Sequence, residues 1–154
     1  MEDDADRLIN AAIMAGTEEH FLEVLRGCGQ AEVWYTGSER MTVLMQIALR
    51  HDWPKATAAL IDRGCNVNAT NKDGDTALHY AGYRDRRETA RVLLERGADR
   101  TIKGERGRTA ADNARIGGKE NLAAYIDGAH ALPPRPRDSH STALAPPRRL
   151  VPLR

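Results

Sequence analysis

Aromatic residues are scarce in this chain of 154 residues, since Phe, Trp and Tyr make up 5% of it while 41% of all residues are hydrophobic. A core must therefore be built mainly from Ala, Leu, Ile and Val. Such side chains favour small helices in close contact over an aromatic-rich sandwich. Charged residues make up 29% of the chain, which is typical of a soluble globular domain. The composition thus favours an all-α fold.

Cysteine is scarce as well, and long apolar runs are absent. Cys28 and Cys65 form no CxxC motif and no Cys/His ligand spacing, so we expect reduced structural thiols. No apolar stretch approaches the roughly 20 residues of a membrane-spanning helix, and the acidic start of the chain is the reverse of a basic secretory signal. These features predict a cytoplasmic protein, with the nucleus as an alternative location.

Signatures of catalysis are also missing. The sequence contains no HExxH, GxSxG, P-loop or GxGxxG motif, and these motifs place the residues of common catalytic and cofactor sites. The five histidines are scattered: His20, His51, His79, His130 and His140. The acidic segment from Glu2 to Asp6 suits the positive end of a helix dipole better than a metal cage. We therefore predict no enzyme activity, no cofactor and no metal.

The chain does contain an internal repeat of 33 residues. The segment from Gly74 to Ala77 recurs as the segment from Gly107 to Ala110, and Ala81 recurs as Ala114. The same offset relates Leu60, Arg63 and Gly64 to Leu93, Arg96 and Gly97. A fixed period of this size indicates a solenoid of stacked supersecondary units.

A further unit at the start of the chain fits only with a longer connection. Ala12 and Ala48 are separated by 36 positions, so about three extra residues lie between Gln30 and Arg40, and we expect an irregular loop there. The predicted repeats are residues 5–37, 38–70, 71–103 and 104–128. Together they form one domain, residues 1–128.

Local signals predict the structure within each unit. Asp73-Gly74 is a turn dipeptide because Gly adopts positive φ without strain, and Thr76 follows where a helix requires an N-cap hydroxyl. Gly97 is suited to end the second helix in the left-handed region. Each unit is thus predicted to be a β-hairpin finger followed by two helices. A single pair cannot cover its own apolar face, so the units must stack.

The best-conforming unit resembles the ankyrin-repeat family. Its letters DGDTALHYA, from Asp73 to Ala81, and VLLERGAD, from Val92 to Asp99, are similar to the family's TPLH motif and to its closing LLxxGAD. The resemblance implies an all-α ankyrin-repeat solenoid with β-hairpin finger loops. It also implies structural roles, including a histidine that links neighbouring fingers, for Gly64, Gly74, Thr76, His79, Gly97, Gly107 and Thr109.

Two units depart from the pattern. In the second repeat Met41 replaces the turn glycine and Val43 replaces the capping threonine, so we expect a differently shaped finger and a poorly capped helix. In the last repeat Ala111 and Asp112 replace Leu78 and His79, as suits an end unit that faces water on one side.

The resemblance implies a non-catalytic protein-protein interaction module that binds through finger tips and inner helices. The family's variable contact positions correspond here to Lys72, Asp73, Asp75, Tyr83 and Arg84, to Arg50 and His51 one repeat earlier, and to Glu105, Arg106 and Arg108 in the next finger. Arg and Tyr are frequent interface anchors, and the set is richer in positive charge. We expect an adaptor, or an inhibitory or regulatory subunit, whose protein partner has an acidic patch, while ordinary solvated side chains remain the alternative.

Two further hypotheses concern single segments. Asn68, in the loop after Gly64, resembles the site at which asparaginyl hydroxylases modify ankyrin repeats. Residues 129–154 contain six of the seven prolines and five arginines against Asp138, and such a composition is typical of a disordered tail. The tail is therefore basic and the remainder acidic. The alternative function is binding of nucleic acid or another anionic surface by this tail, and its PxxP from Pro133 to Pro136 is a weaker hypothesis of a polyproline ligand.

Overall fold

The structure, a computed structural model, describes residues 2–28, 35–36 and 39–128. The predicted disordered tail lies outside the described residues, and so does much of the predicted irregular connection between Gln30 and Arg40. Among the described residues, none of the helices combines the length and the apolar composition needed to cross a membrane.

The described chain forms four consecutive helix pairs. The first helix of each pair is called inner and the second outer, and the pairs are α1 (Glu2–Ala15) with α2 (Glu18–Gly27), α3 (Val43–Arg50) with α4 (Pro54–Asp62), α5 (Ala77–Tyr83) with α6 (Arg87–Glu95), and α7 (Ala110–Ile116) with α8 (Glu120–Ile126). Inner helices α3, α5 and α7 contact one another in sequence, as do the outer helices. The predicted all-α repeat solenoid is confirmed.

Finger loops precede the inner helices, and only the first described finger contains strands. There β1 (Tyr35–Thr36) pairs antiparallel with β2 (Met41–Thr42). In the second finger the Asn71 N–H donates to the Asp75 carbonyl at 2.9 Å, and Gly74 has a φ of 85°. The third finger contains a short 3₁₀ turn, Glu105–Gly107. Each finger therefore reverses the chain and leads into an inner helix.

Small side chains at equivalent positions allow the inner helices to pack closely. Ala12, Ala48, Ala81 and Ala114 are all fully buried. A Cβ atom at Gly82 would lie 2.6 Å from the carbonyl oxygen of Ala110, so α5 and α7 approach more closely than a larger residue permits. Both sets of helices contribute large buried side chains to the same core, including Leu78 of an inner helix and Leu60, Leu93 and Ile126 of the outer helices.

The expectation of a poorly capped second repeat is wrong. Thr42, one position before the aligned site, is the N-cap of α3, and its Oγ1 accepts from the Met45 N–H at 3.2 Å. The Met45 Sδ lies 3.5 Å from the Thr42 N–H and completes a capping box. In the 33-residue alignment, α3 begins one position earlier than α5. Val43 is therefore the first residue of the helix and does not cap it.

Carboxylates of the preceding repeat cap two of the outer helices. At the start of α4, Oε1 of Glu18 accepts from the Ala56 N–H at 2.9 Å. At the start of α6, Oδ1 of Asp52 accepts from the Thr89 N–H at 2.8 Å. Neither helix has a side-chain cap from its own N-cap residue. The free N–H groups of one repeat are thus satisfied by its neighbour, which fixes the stacking register.

Candidate functional site

The predicted contact residues fall into two groups at opposite ends of the inner helices. One group lies in the fingers, before the helices begin, and the other lies in the last helical turn or just after it. Helix α5 has seven residues and so rises about 10 Å between them. We call them the finger group and the helix-end group.

Contacts between successive fingers hold the finger group in place. The Lys72 N–H donates to the Glu39 carbonyl at 3.2 Å, and the Glu105 N–H donates to Oδ1 of Asp75 at 3.0 Å. Asp75 is only 8% exposed. The family resemblance predicts Asp75 to be a partner contact, but its burial and this hydrogen bond give it a structural role, so the proposed surface omits it.

The remaining finger residues differ in exposure. Lys72 and Asp73 are exposed, as are Glu105 and Arg106, while Arg108 is half-buried. Positive and negative side chains alternate here, and Lys72 lies 4.0 Å from Glu39 while Arg106 lies 3.5 Å from Glu105. Such exposed pairs contribute little to stability. The finger tips therefore present mixed charge without a strong net sign.

The His79 side chain links the second finger to the third through contacts of its two ring nitrogens. Its Nδ1 accepts from the Thr76 N–H at 3.1 Å, and its Nε2 lies 3.0 Å from the Arg108 carbonyl oxygen. Because Nδ1 accepts, Nε2 carries the proton and donates to that carbonyl. The ring is 1% exposed and both of its nitrogens have protein partners. The ring therefore lies where it supports the two fingers.

Tyr80 supports the second finger beside His79. Its hydroxyl accepts from Nδ2 of Asn71 at 2.8 Å and donates to Sδ of Met41 at 3.7 Å. Burial raises the pKa of Tyr80, and the nearby carboxylates of Asp75 and Asp73 raise it further. The phenol is therefore neutral at physiological pH, and its hydroxyl supports the finger through hydrogen bonds.

The helix-end group is centred on Tyr83 and Arg84. Tyr83 is 50% exposed, Arg84 is exposed, and the Arg84 guanidinium carbon lies 5.7 Å from the Tyr83 ring centroid. One repeat earlier Arg50 is exposed and its Nε donates to Gln46 at 3.3 Å. These three side chains lie at the solvent side of successive inner helices and are free of burial constraints.

His51 has a more constrained position than we expected for a contact residue. Its ring stacks on Trp53 with centroids 3.9 Å apart, and its Nε2 lies 2.8 Å from the Ile13 carbonyl oxygen. The imidazole therefore links the second repeat to the end of α1. It borders the helix-end group, but its polar atom is already engaged.

Sequence reasoning missed several residues of the helix-end group. Met14 and Ile116 are exposed there, at 69% and 55%. Arg86 donates to the carbonyls of Leu49 and Arg50 at 3.4 and 2.8 Å. Alignment of the repeats was enough to identify Met14 and Ile116, because Met14 precedes Arg50 by 36 positions and Ile116 follows Tyr83 by 33.

Asn68, the predicted hydroxylation site, lies between the loops that follow α4 and α6. Its Oδ1 accepts from the Asp99 N–H at 2.7 Å, and its Nδ2 donates to the Gly97 carbonyl at 3.4 Å. The amide is half-buried. A modifying enzyme would have to open these contacts first, and hydroxylation stays a prediction.

The described residues contain no group of three His, Cys, Asp or Glu side chains placed to hold a metal ion. Burial raises the pKa of the Cys65 thiol, with the Arg63 charge opposing this in part. A thiol with a raised pKa is a poor nucleophile at neutral pH. The chemistry that the described surface offers is hydrogen bonding, charge and apolar contact.

This geometry defines a class of protein, a solenoid of helix pairs with finger loops. Residues 8–104 match the family described as "Ankyrin repeats (3 copies)". The chain belongs to the ankyrin-repeat family. Ankyrin repeats generally mediate protein-protein interactions and are typically not catalytic.

Several known proteins are similar to this chain over part of their length. The chain is 34% identical over 113 residues to the probable E3 ubiquitin-protein ligase XBOS34 of Oryza sativa subsp. japonica, covering 72% of this chain and 22% of that protein. It is 47% identical over 55 residues to the ankyrin repeat and LEM domain-containing protein 1 homolog of Caenorhabditis elegans, covering 36% and 8%. It is 30% identical over 100 residues to the putative ankyrin repeat protein L92 of Acanthamoeba polyphaga mimivirus, covering 63% and 24%. The chain thus spans less than a quarter of each of these relatives.

Proposed function

We propose that this chain is an adaptor or regulatory subunit that binds a protein partner across its fingers and inner-helix ends. The observation that supports this most directly is the exposure of Tyr83 and Arg84 at the end of α5, where the Arg84 guanidinium lies over the Tyr83 ring. Tyr and Arg combine large contact area with directional donors and are frequent interface hot spots. No ligase chemistry is proposed, because the matched region is a small part of the rice protein.

The finger group and the helix-end group contribute differently to the proposed interface. The finger tips have mixed charge and high exposure, as interface rims do, and rim charges act mainly on association rate. The helix-end group combines aromatic, apolar and guanidinium side chains, as the centre of an interface does. We therefore place the main binding energy at the helix ends.

Affinity capture from a lysate of the cells that express this chain tests the proposal. The full chain is compared with the double variant Tyr83→Ala/Arg84→Ala and with a matched control, Arg91→Ala/Glu95→Ala. The control residues are exposed on outer helix α6. We expect partners to be retained by the full chain and by the control but lost from the helix-end variant. Thermal unfolding should change little in either variant, because the altered side chains are exposed.

Loss of capture together with a large fall in thermal stability would instead mean that Tyr83 and Arg84 are scaffold residues. Equal capture by all three proteins would move the interface away from the helix ends. The tail alternative is tested separately with a nucleic-acid duplex and with anionic vesicles, each titrated at two salt concentrations with and without residues 129–154. Binding that disappears with the tail and weakens steeply with salt would support it.

A further inference from the structure

We propose that the helix-end groove binds an extended segment of a partner that carries carboxylates and an apolar side chain at about every third residue. The groove is the surface formed by Met14, Arg50, Tyr83 and Ile116 together with the residues between them. This inference rests on the proposed protein-binding function and adds the chemistry of the partner.

The four defining residues occupy the same position in four successive repeats, at the end of the inner helix. Met14, Tyr83 and Ile116 are large hydrophobic side chains exposed to solvent. Among the described residues, Leu8 is the one other large hydrophobic side chain that is exposed. Exposed apolar residues scattered singly need no explanation, but residues aligned across neighbouring elements indicate a binding surface. The alignment crosses the whole described stack.

Two clefts join these residues into one groove. One cleft, of about 530 Å³, lies between the ends of α5 and α7, and the other, of about 600 Å³, lies between the ends of α1, α3 and α5. Arg84 and Arg86 line both clefts. The Ile116 side chain lines the first, while Met14 and Leu49 line the second. Each cleft therefore combines apolar wall with guanidinium groups.

The groove is strongly positive. Its cationic side chains are Arg50, Arg84, Arg86 and Lys119, and the carboxylate that lines it belongs to Asp85. Oδ1 of Asp85 is 3.0 Å from Nε of the buried Arg87. The positive charge of Arg87 therefore largely offsets the negative charge of Asp85. Arg86 is held in place by its bonds to the carbonyls of α3. A segment with carboxylates complements this field.

The repeat geometry sets the spacing of the apolar side chains. Packed helices lie about 8–10 Å apart. A chain in the extended polyproline II conformation advances about 3.1 Å per residue with three residues per turn, so side chains three apart point the same way and lie about 9 Å apart. One repeat therefore corresponds to about three residues of such a segment. A nucleic-acid duplex would satisfy the same charges, but its phosphate backbone would leave the apolar side chains of Met14 and Ile116 without a matching surface.

Selection from a random library of linear peptides of about 12 residues, enough to cross four repeats at about 3.1 Å per residue, tests the inference with the full chain as bait. We expect enrichment of acidic peptides whose apolar residues are three apart. A synthetic consensus peptide is then titrated by fluorescence anisotropy. Arg84→Glu should weaken binding at least about tenfold and Ile116→Ser about threefold, whereas the matched control Arg91→Glu on α6 should change it less than about twofold.

Several outcomes would overturn the inference. These are enrichment of basic or uncharged peptides, equal binding of the consensus peptide by the Arg84→Glu variant, and tighter binding of a single-stranded oligothymidylate than of any selected peptide. If no peptide is enriched while lysate capture still depends on Tyr83 and Arg84, the inference fails and the proposed function stands. If capture is also independent of these residues, both fail.

Discussion

The second and third repeats begin their inner helices with the same cap and differ in what lies beyond it. In both, a threonine precedes the helix and the third helical residue reaches back to the threonine N–H: Met45 does so with sulfur, at 3.5 Å, and His79 with Nδ1, at 3.1 Å. Methionine has no donor on its far side, whereas the imidazole places Nε2 3.0 Å from the Arg108 carbonyl of the next finger. One position thus decides whether a cap is local or also links repeats.

This comparison shows how stability is distributed in the stack. The third repeat is joined to the fourth through the His79 ring and through Asp75, which accepts from Glu105. At the finger the second is joined to the third by a backbone bond from Lys72 to Glu39, by the exposed ion pair of the same two residues, and by the Tyr80 hydroxyl, which donates to the weak acceptor Sδ of Met41. In a solenoid, cooperativity depends on such nearest-neighbour terms. We therefore expect the third and fourth repeats to unfold together and the second to be less tightly coupled to them.

The largest effect is expected for His79→Ala. Its loss leaves the buried Thr76 N–H and the Arg108 carbonyl without their partner, which costs about 2–4 kcal/mol of unfolding free energy. The control Arg91→Ala removes exposed ion pairs on α6 and should cost less than about 1 kcal/mol. Urea unfolding measures both. Equal losses would mean that the inter-finger bond adds nothing.

A somewhat smaller effect is expected at the contact between α5 and α7. In Gly82→Ala the added Cβ would lie 2.6 Å from the Ala110 carbonyl oxygen, so the third and fourth repeats must separate. Overpacking of this kind costs about 1–3 kcal/mol, against a gain of about 1 kcal/mol in helix propensity. Thermal unfolding should therefore show net destabilisation. A more stable Gly82→Ala variant would contradict the close approach of these helices.

The cap of the second repeat can be tested with Thr42→Ala. Because Oγ1 of Thr42 accepts from the Met45 N–H, its removal should lower the unfolding free energy by about 1 kcal/mol. Thr70 is exposed, and Thr70→Ala supplies the same chemical change as a control. Both variants are compared by urea unfolding. If the two curves coincide, the second repeat is as poorly capped as its alignment to Val43 predicts.

The smallest effect concerns the fourth repeat, where Asp112 takes the place of His79. Hydrogen bonds from the Thr109 N–H and with its hydroxyl lower the pKa of Asp112, and Arg115 lowers it further. The charged carboxylate therefore stabilises the fold above the unfolded pKa of about 3.9, and this contribution is lost as pH falls through the lower folded value. The difference in Tm between the protein and Asp112→Asn should shrink over that acidic range. A constant difference would exclude a role for the carboxylate charge.

Much of the architecture was accessible from the sequence because it depends on local chemistry repeated at a fixed period. The 33-residue offset predicted the helix pairs, and Gly64, Gly74 and Gly97 do adopt positive φ values, of 96°, 85° and 92°. Ile116 follows Tyr83 at the same offset, and Met14 precedes Arg50 by 36 positions, which is the longer spacing of the first repeat. Extending the register to Met14 and Ile116 would have identified them, since position alone determines where they lie.

Contacts between repeats could not be predicted in this way. The burial of Asp75 against Glu105 of the next finger and the contact of His51 with the Ile13 carbonyl depend on which atoms of neighbouring repeats meet. The capping of α6 by Asp52 and the reach of Arg86 to α3 join residues 36 or 37 positions apart, and no local propensity specifies such pairs.

The sequence by itself determined the repeating unit, because turn residues, caps and apolar periodicity act within a few positions of one another. Only the tertiary structure decided which exposed side chains adjoin. Stacking brings the ends of separate inner helices together, so that apolar and cationic groups from four repeats form one groove. Charge and shape at that groove are properties of the stack, and no single repeat contains them.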